Sequence, residues 1–337
     1  MSIRPPSTRG SAATLGLLAL AGLGLLVLVG WWLMGQARPG SVPHGASEVV
    51  SEGFPRTIEL PDGGSLRLEA PPRRIVPSAS ATTDLVVSMV GPERVAGLPR
   101  IAFTFSEFPG GPERWHDLPT FERYLAEPLL SLEPDLVVAY TWQDATPTAL
   151  LTASGVPVLM LPEARDLAAM LDQLELVASA LGTEQRAADV RSVIEARVEA
   201  LAQGAPERST WNAMFYSNQG VGGWTAAEGT THDLMLDLAG VPNAAGLAGL
   251  TGHSTIDLEK LLSIDPDVII VSSSKGQSAT RRFLEESPAA AGLTALREDR
   301  IVELPSSVYD CASYHVVHGA EQLARGLDAL LAAHGSR

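Results

Sequence analysis

The sequence EPLLSLEPDLVVA (Glu127–Ala139) returns later in the chain as EKLLSIDPDVIIV (Glu259–Val271). In each copy an acidic residue opens a short amphipathic segment. A proline ends that segment because it has no N–H to donate and clashes with the preceding turn. The apolar run that follows has no polar alternation, which is typical of a strand covered on both faces of a parallel sheet. Two such units predict two α/β lobes of similar build with a cleft between them.

The segment between the two copies is predicted to be helical. It reads as two helical pieces that meet at Gly182, and the second piece carries an apolar stripe from Val190 to Leu201 among Arg and Glu residues. At ~1.5 Å per residue the second piece is roughly 30 Å long, a suitable length for a stiff strut. The predicted fold is therefore α/β, with two Rossmann-like lobes that have parallel sheets and are joined by a single long α-helix.

An N-terminal transmembrane helix is predicted to precede this body. Residues 13–34 are almost purely apolar, enough for the ~20 residues that cross a hydrocarbon core. This run is longer than the roughly 7–15 apolar residues of a secretory signal. Arg4 and Arg9 precede it, which favours a body outside the cytoplasm, anchored to the inner membrane. A cleaved signal is the alternative, because Gly35–Ala37 is a small-residue cleavage site.

These patterns divide the chain into five predicted segments. They are a signal anchor at 1–38, a Gly/Pro/Ser-rich linker at 39–53, an N-terminal lobe at 54–162, a helical strut at 163–204 and a C-terminal lobe at 205–337.

Charge and motif content exclude several classes of function. The formal net charge of −15 at pH 7 argues against nucleic acid, whose affinity comes mainly from Lys and Arg that neutralise phosphates. Cys311 is the single cysteine, so the chain has no intrachain disulfide and no lipid-modified N-terminal cysteine. The sequence has no G-x-S-x-G, H-E-x-x-H or C-x-x-C motif. We therefore expect a non-enzymatic protein, although a two-lobe cleft can also house hydrolysis or redox chemistry.

Several loops are candidates for ligand contact. Residues 101–124 are irregular and rich in aromatic side chains, and loops on a rigid scaffold carry binding more often than stability. Packing beneath the loop is the alternative for these aromatics. Ser80 is predicted to cap a helix that runs to Val90, and Trp224 is predicted to present a contact surface from a glycine-rich loop.

Five stretches, in their order along the chain, resemble the ABC-importer substrate-binding proteins that serve ferric siderophores, haem and vitamin B12. They are RRIVPSASATTDLVVSMVG (73–91), FTFSEFP (103–109), the first repeated block (127–139), WTAAEGTTHDLMLDLAGVPNAA (224–245) and the second repeated block (259–271). The resemblance covers the chain from about residue 54 to its end. It implies a periplasmic or otherwise extracytoplasmic binding protein that delivers a small-molecule ligand to an ABC permease dimer.

The resemblance also implies roles for particular residues. Glu127 and Glu259 match the acids with which each lobe docks onto Arg residues of the permease. A solvated charge that favours the helix dipole is the alternative for either acid. The ligand contacts implied by the resemblance are Ser78, Ser80, Phe105, Tyr140, Trp142, Tyr216, Trp224, Thr225, Ser273 and Tyr309.

A cluster of metal-ligating residue types precedes the final helix. It comprises Asp310, Cys311, His315 and His318, and the two histidines share a helix face. One of them is a candidate ligand for a transition metal, or for the metal centre of haem or a corrinoid. The alternative is that these histidines are packed or capped, since Val316 and Val317 face a core.

The expected function is capture and delivery without a cofactor. Aromatic-rich, weakly charged loops suit a partly apolar metal chelate, namely an iron siderophore or a corrinoid. The alternatives are a haem-binding or metal-ion-binding protein, or a membrane-tethered scaffold or sensor that uses the same fold without a transporter.

Overall fold

The computed structural model describes residues 53–218, 222–274 and 276–335. The predicted membrane anchor at 13–34 lies outside this part of the chain. Among the described residues, no helix combines the length and the apolarity that a membrane crossing requires.

The elements of the N-terminal half (residues 53–161) alternate between strands and helices. The strands are β1 (Arg56–Glu59), β2 (Ser65–Leu68), β3 (Ile75–Pro77), β4 (Leu98–Pro99), β5 (Thr120–Phe121), β6 (Leu136–Tyr140) and β7 (Val158–Leu161). The helices are α1 (Ser80–Met89), α2 (Ala102–Phe105), α3 (Ala126–Leu130) and α4 (Ala145–Ala153). Short 3-10 helices cover Pro92–Arg94 and Pro112–Trp115.

Two helices then lead to the C-terminal half (residues 205–335). They are α5 (Leu167–Leu181) and α6 (Glu184–Gln203). The helices of the C-terminal half are α7 (Ala205–Arg208), α8 (Thr231–Ala239), α9 (Ala244–Leu247), α10 (Leu258–Ile264), α11 (Ala279–Glu286), α12 (Thr294–Arg297), α13 (Ser306–Tyr309) and α14 (Val316–Gly335), with a 3-10 helix at Pro288–Gly292. Its strands are β8 (Ala213–Phe215), β9 (Ser217–Asn218), β10 (Gly223–Ala226), β11 (His253–Ile256), β12 (Val268–Ser273) and β13 (Ile301–Pro305).

Each half contains its own three-stranded parallel sheet. The strand order is β3-β6-β7 in the first sheet and β13-β12-β8 in the second. The central strands β6 and β12 contain the apolar runs of the two repeated segments, and all of β6 is buried. Alternate residues of each central strand belong to different cores, because both faces of each sheet are covered. The predicted parallel sheets are thereby confirmed.

The two repeated segments fold alike at the turn between helix and strand. Glu133 and Asp265 occupy the same place in the two copies, and both have left-handed backbones, with φ of 47° and 44°. At Asp265 this conformation caps the C-terminus of α10, whereas Glu133 lies two residues beyond Ser131, the C-cap of α3. In both copies it directs the chain into the central strand. Few residues other than Gly, Asn and Asp adopt it readily, because Cβ crowds the following carbonyl oxygen.

The aspartate of each Pro-Asp pair attaches this turn to a neighbouring strand. Asp135 accepts hydrogen bonds from the backbone N–H groups of Arg73 and Arg74, at 2.7 and 2.8 Å, just before β3. Asp267 accepts from the backbone and side chain of Asn212, at 3.0 and 2.8 Å, just before β8. The repeated aspartate therefore aligns the central strand with its neighbour in both halves.

One apolar core runs through both halves and the helices between them. It takes Leu136 from β6, Leu174 from α5, Val190 from α6, Phe215 from β8 and Leu323 from α14. Helix α5 ends at Gly182, whose φ of 70° gives a left-handed cap, and the predicted break at this glycine is confirmed. Because α6 is 20 residues long, it spans roughly 30 Å at ~1.5 Å per residue.

Candidate functional site

A cleft of about 550 Å³ lies between the two halves. Its volume falls within the roughly 300–1,000 Å³ of small-molecule sites. It is lined by Ala81, Tyr140, Trp142, Glu163, Ala164, Arg165, Glu228, Gly229, Thr230, Thr231, Gly252, His253 and Ala312. Several of these residues follow or end strands of a parallel sheet, which is where open α/β sheets place ligand contacts.

The wall from the N-terminal half is aromatic. Tyr140 ends β6, and its ring stacks on Trp142 with centroids 5.6 Å apart and an interplanar angle of 16°. Tyr140 is buried and donates a hydrogen bond from its hydroxyl to Gln173 at 3.4 Å. Burial raises the pKa of Tyr140, so its phenol stays protonated. Trp142 is 63% exposed, and the pair therefore supplies a flat apolar face backed by a buried ring.

The opposite wall comes from the loop before α8 and the start of β11. Thr230 caps α8 by accepting a hydrogen bond from the Asp233 N–H at 3.1 Å, and it donates to the Ala227 carbonyl at 2.8 Å. His253 is the first residue of β11, where it pairs with Ala226 of β10. Its exposed imidazole lies edge-on to the ring of His232, with centroids 5.7 Å apart.

Carboxylates outnumber cations among the residues that line the cleft. Arg165 forms an ion pair with Glu163 at 2.9 Å, so the charge of this guanidinium is offset within the wall. Glu228 adds a second carboxylate on the opposite side. The cleft is therefore poorly suited to a strongly anionic ligand, which Arg clusters usually bind.

A polar contact joins the halves beside the cleft. Glu107, in the loop after α2, contacts Nδ1 of His318 through one carboxylate oxygen and Nδ1 of His315 through the other, the latter at 3.5 Å. His318 also contacts Gln322 through Nε2 at 3.0 Å. Burial lowers the pKa of His315 to about 4, so this imidazole is neutral at pH 7.

The sequence pattern of the periplasmic binding protein family matches residues 117–308, which is more than half of the chain. This chain belongs to the periplasmic binding protein family. It is a non-enzymatic, extracytoplasmic substrate-binding protein of the ABC siderophore, haem and cobalamin class, with a permease and a small ligand as partners. Family membership thus confirms the expectations of a binding protein and of no enzymatic activity.

Among the proteins similar to this binding protein, one is named for cobalamin, another is named for haem, and a third is uncharacterised. An uncharacterised ABC transporter substrate-binding lipoprotein of Bacillus subtilis is 20% identical over 308 residues, 90% of this chain and 95% of the relative. A cobalamin-binding protein of Halobacterium salinarum is 24% identical over 179 residues, 52% of this chain and 48% of the relative. The apo structure of the periplasmic haem-binding protein RhuT from Roseiflexus sp. RS-1 has 25% identity and a TM-score of 0.66, and the match covers 77% of this chain and 99% of RhuT.

Of the predicted ligand contacts of this binding protein, Tyr140 and Trp142 line the cleft. On the N-terminal side, Ser78 is buried and donates to the Gln143 side chain at 2.6 Å. Ser80 is not the helix cap: α1 begins at this residue, and Thr82 Oγ1 accepts the hydrogen bond from the Ala79 N–H instead.

The predicted contacts in the C-terminal half are mostly held by internal bonds. Tyr216 is fully buried and accepts from Asn218 at 2.9 Å. Thr225 is buried and donates to the Phe215 carbonyl at 2.8 Å. Tyr309 is buried against Phe215, with ring centroids 5.1 Å apart.

The two remaining contacts in this half are less buried. Ser273 is half-buried and donates to the Leu304 carbonyl at 3.4 Å. Trp224 lies on strand β10, where a glycine-rich loop was expected, and its side chain is 55% exposed. Pairing with β11 explains the difference, because β10 gains a complete antiparallel partner there.

Most of the aromatic segment at 101–124 is packed. The rings of Phe103 and Phe108 are stacked with centroids 5.0 Å apart, and the centroid of Phe108 lies 5.8 Å from that of the buried Trp115. Phe105 is half-buried. Phe103, Phe108 and Trp115 pack in the apolar core, and none of these four rings lines the cleft.

The two candidate docking acids occupy matching positions. Glu127 and Glu259 both lie in the first turn of their helices, α3 and α10, and both side chains are exposed.

His315 and His318 were the candidate metal ligands, and each of them contacts Glu107 through one ring nitrogen. Within the described ranges, no group of three or more His, Cys, Asp or Glu side chains is arranged to hold a metal ion.

Sequence reasoning did not single out His253. A lone histidine at the start of a strand has no motif around it, and its place in the cleft depends on β11 packing beside the loop before α8. Only the tertiary structure brings it opposite Trp142.

Proposed function

We propose that this binding protein captures a corrinoid or a related metal chelate in the cleft and delivers it unchanged to an ABC permease. The observation that carries the proposal is the stacked Tyr140–Trp142 pair on one wall of a cavity between the halves. An exposed indole backed by a second ring offers a flat apolar surface to a macrocycle.

The charge of the cleft supports a neutral or cationic chelate. The negative charge of Glu163 offsets the positive charge of Arg165, and Glu228 adds a further negative charge to the lining. A corrinoid with amide side chains meets no repulsion there, whereas a triscatecholate siderophore carries negative charge without Arg residues to receive it. The similarity to a cobalamin-binding protein of Halobacterium salinarum supports the same choice.

Haem is the second candidate ligand. The similarity to RhuT, at 25% identity with almost complete coverage of that protein, favours it. Against haem, its two carboxylates need cations, and the lining offers Arg165 already paired. An iron siderophore of low charge is a further member of the proposed class.

A titration tests the ligand class. We expect cyanocobalamin or ferric haem to quench tryptophan fluorescence saturably, because Trp142 lies in the cleft. Trp142→Phe keeps an aromatic ring and should reduce the quenching amplitude more than Trp211→Phe, which lies outside the lining. A flat titration with cobalamin, haem and ferrioxamine B alike would contradict the proposal.

Delivery is proposed to use Glu127 and Glu259 as docking acids for permease Arg residues. The double variant Glu127→Ala with Glu259→Ala should keep its ligand affinity and lose uptake. The matched control is Glu113→Ala with Glu286→Ala, which removes the same charge from exposed positions elsewhere. Unchanged uptake in the first pair would remove the docking assignment.

The proposed organisation completes this function. Residues 13–34 anchor the protein to the inner membrane, residues 39–53 form a linker, and the lobes at 54–162 and 205–337 are joined by the strut at 163–204. Release of the full chain from membranes by high salt would contradict an integral anchor.

A further inference from the structure

The groups that can ligate a metal around the cleft differ in their availability. Tyr140 is a protonated phenol that already donates to Gln173. Cys311 is buried, its thiol contacts Ser313, and burial raises its pKa to about 12, so it is not a thiolate at pH 7. Glu163 is paired with Arg165. None of these three side chains is ready to accept a metal centre.

His253 differs from them in each respect. Its imidazole is exposed and lines the cleft, and no hydrogen bond joins it to another described residue. The β10–β11 pairing holds its backbone opposite Ala226. The ring of His232 lies edge-on to it at 5.7 Å, with the Asp310 carboxylate 3.9 Å from His232 Nε2. An exposed imidazole on a backbone held by strand pairing therefore lines the cavity.

The remaining ligands of a metal must come from the cargo. In the part of the chain that the structure describes, no cluster of three ligating side chains exists, so the cleft is not built for a bare ion. Imidazole is a good ligand for iron and cobalt, whereas carboxylates such as that of Glu228 suit harder ions. A macrocycle that fills the equatorial positions and leaves an axial one exchangeable fits this donor set.

We propose that His253 supplies an axial ligand to the metal of a tetrapyrrole-type chelate, which Trp142 contacts within the same cleft. This rests on the proposed function and narrows it: the cargo has an exchangeable axial position, unlike a hexadentate ferric siderophore. An imidazole nitrogen donates its lone pair to the metal, the water bound there leaves, and the oxidation state of the metal does not change.

The test compares metallated and metal-free forms of one macrocycle. Ferric haem and protoporphyrin IX share their shape and side chains, so their difference in affinity isolates ligation from packing. We expect the wild-type protein to shift the absorption bands of haem and of diaquacobinamide, as imidazole ligation does. We expect His253→Ala to weaken the binding of haem by at least about tenfold. Mutating a residue that only supports a metal ligand already lowers metal affinity by roughly 10–100-fold. The binding of protoporphyrin IX should change little.

Matched variants and added imidazole sharpen the test. His116→Ala removes an exposed imidazole outside the cleft and should leave affinity and spectrum unchanged. Free imidazole should restore the ligated spectrum in His253→Ala, which a purely structural role does not predict. His253→Gln keeps a polar side chain and should behave like His253→Ala.

The outcomes separate the two proposals. If His253→Ala binds both metallated macrocycles with wild-type affinity and spectrum, the ligation is overturned and chelate binding stands. Tighter binding of hexadentate ferrioxamine B than of diaquacobinamide or haem would overturn the cargo class. If the wild-type protein binds none of these probes, the proposed function itself fails.

Discussion

At the scale of single residues, Asp84 is a buried carboxyl group with a raised pKa. It lies in α1, is buried, and accepts hydrogen bonds from Ser313 Oγ at 2.7 Å and from the Glu107 N–H at 3.0 Å. Burial raises the pKa of Asp84 to about 8, although the bond from Ser313 opposes this. A carboxyl group of the N-terminal half is thus neutral at pH 7 where it meets the C-terminal half.

Because of this raised pKa, the free energy of unfolding should change with pH in a predictable direction. Between the ordinary value of 3.8 and about 8, the folded protein keeps a proton that the unfolded chain has released. The contribution of Asp84 to the free energy of unfolding therefore falls as pH rises through this window and levels off above it. In Asp84→Asn the amide oxygen can accept from the Glu107 N–H, and the amide N–H can donate to Ser313 Oγ. The variant has no titrating group at this position and should remove that slope, so its stability relative to wild type should rise from pH 5 to pH 8.

Urea unfolding at a series of pH values measures the effect. Glu93→Gln, an exposed carboxylate change, is the control and should follow the wild-type profile. Parallel pH profiles for wild type and Asp84→Asn would show that Asp84 is ionised in the folded protein.

At the scale of elements, the repeated turn carries the same backbone with different side-chain support. Asp265 accepts hydrogen bonds from the Thr294 N–H and hydroxyl at 2.7 and 2.8 Å. Glu133 is exposed, and what anchors its turn is its carbonyl, which accepts from Arg74 at 2.8 Å. The left-handed conformation is thus unfavourable in both copies, but only the Asp265 side chain forms hydrogen bonds that offset part of its cost.

Glycine at the two positions should therefore have opposite effects. Glu133→Gly relieves a left-handed penalty of about 1–2 kcal/mol against a loss of ~0.5–1 kcal/mol from the greater freedom of the unfolded chain. We expect a net gain of up to about 1 kcal/mol. Asp265→Gly loses the bonds to Thr294, worth about 1–2 kcal/mol for an exposed pair, and should be neutral or destabilising. Chemical denaturation of both variants checks the contrast, and equal shifts of the same sign would disprove it.

At the scale of the whole molecule, two sheets share one core. The largest apolar cluster includes Leu136 of the first sheet, Ile270 of the second and Leu323 of α14. Polar contacts between Glu107 and the start of α14 also connect the two halves. The halves are therefore coupled in stability, although each has its own sheet.

This coupling predicts one unfolding transition. Calorimetry of the body should give a single peak with calorimetric and van't Hoff enthalpies in agreement. Leu323→Ala, at a fully buried position, should lower the stability of the whole body by about 2–5 kcal/mol and keep the peak single. Two separated peaks, or a shift in only one of them, would show that the halves unfold independently.

The sequence by itself determined the repeated units, their parallel strands and the break at Gly182. These features depend on local rules: proline and glycine end helices, and uninterrupted branched residues form strands covered on both faces. It also predicted that Tyr140 and Trp142 lie at the carboxyl end of a strand, where parallel sheets place ligand contacts. In the structure Tyr140 is the last residue of β6 and Trp142 follows it.

Only the tertiary structure decided which polar and aromatic residues face the cleft. Tyr216 and Tyr309 are buried, whereas His253, which no motif marks, lies in the wall. The physical reason is that a cleft between two halves joins residues distant in sequence, and their orientation depends on packing across both halves. No local pattern contains that information.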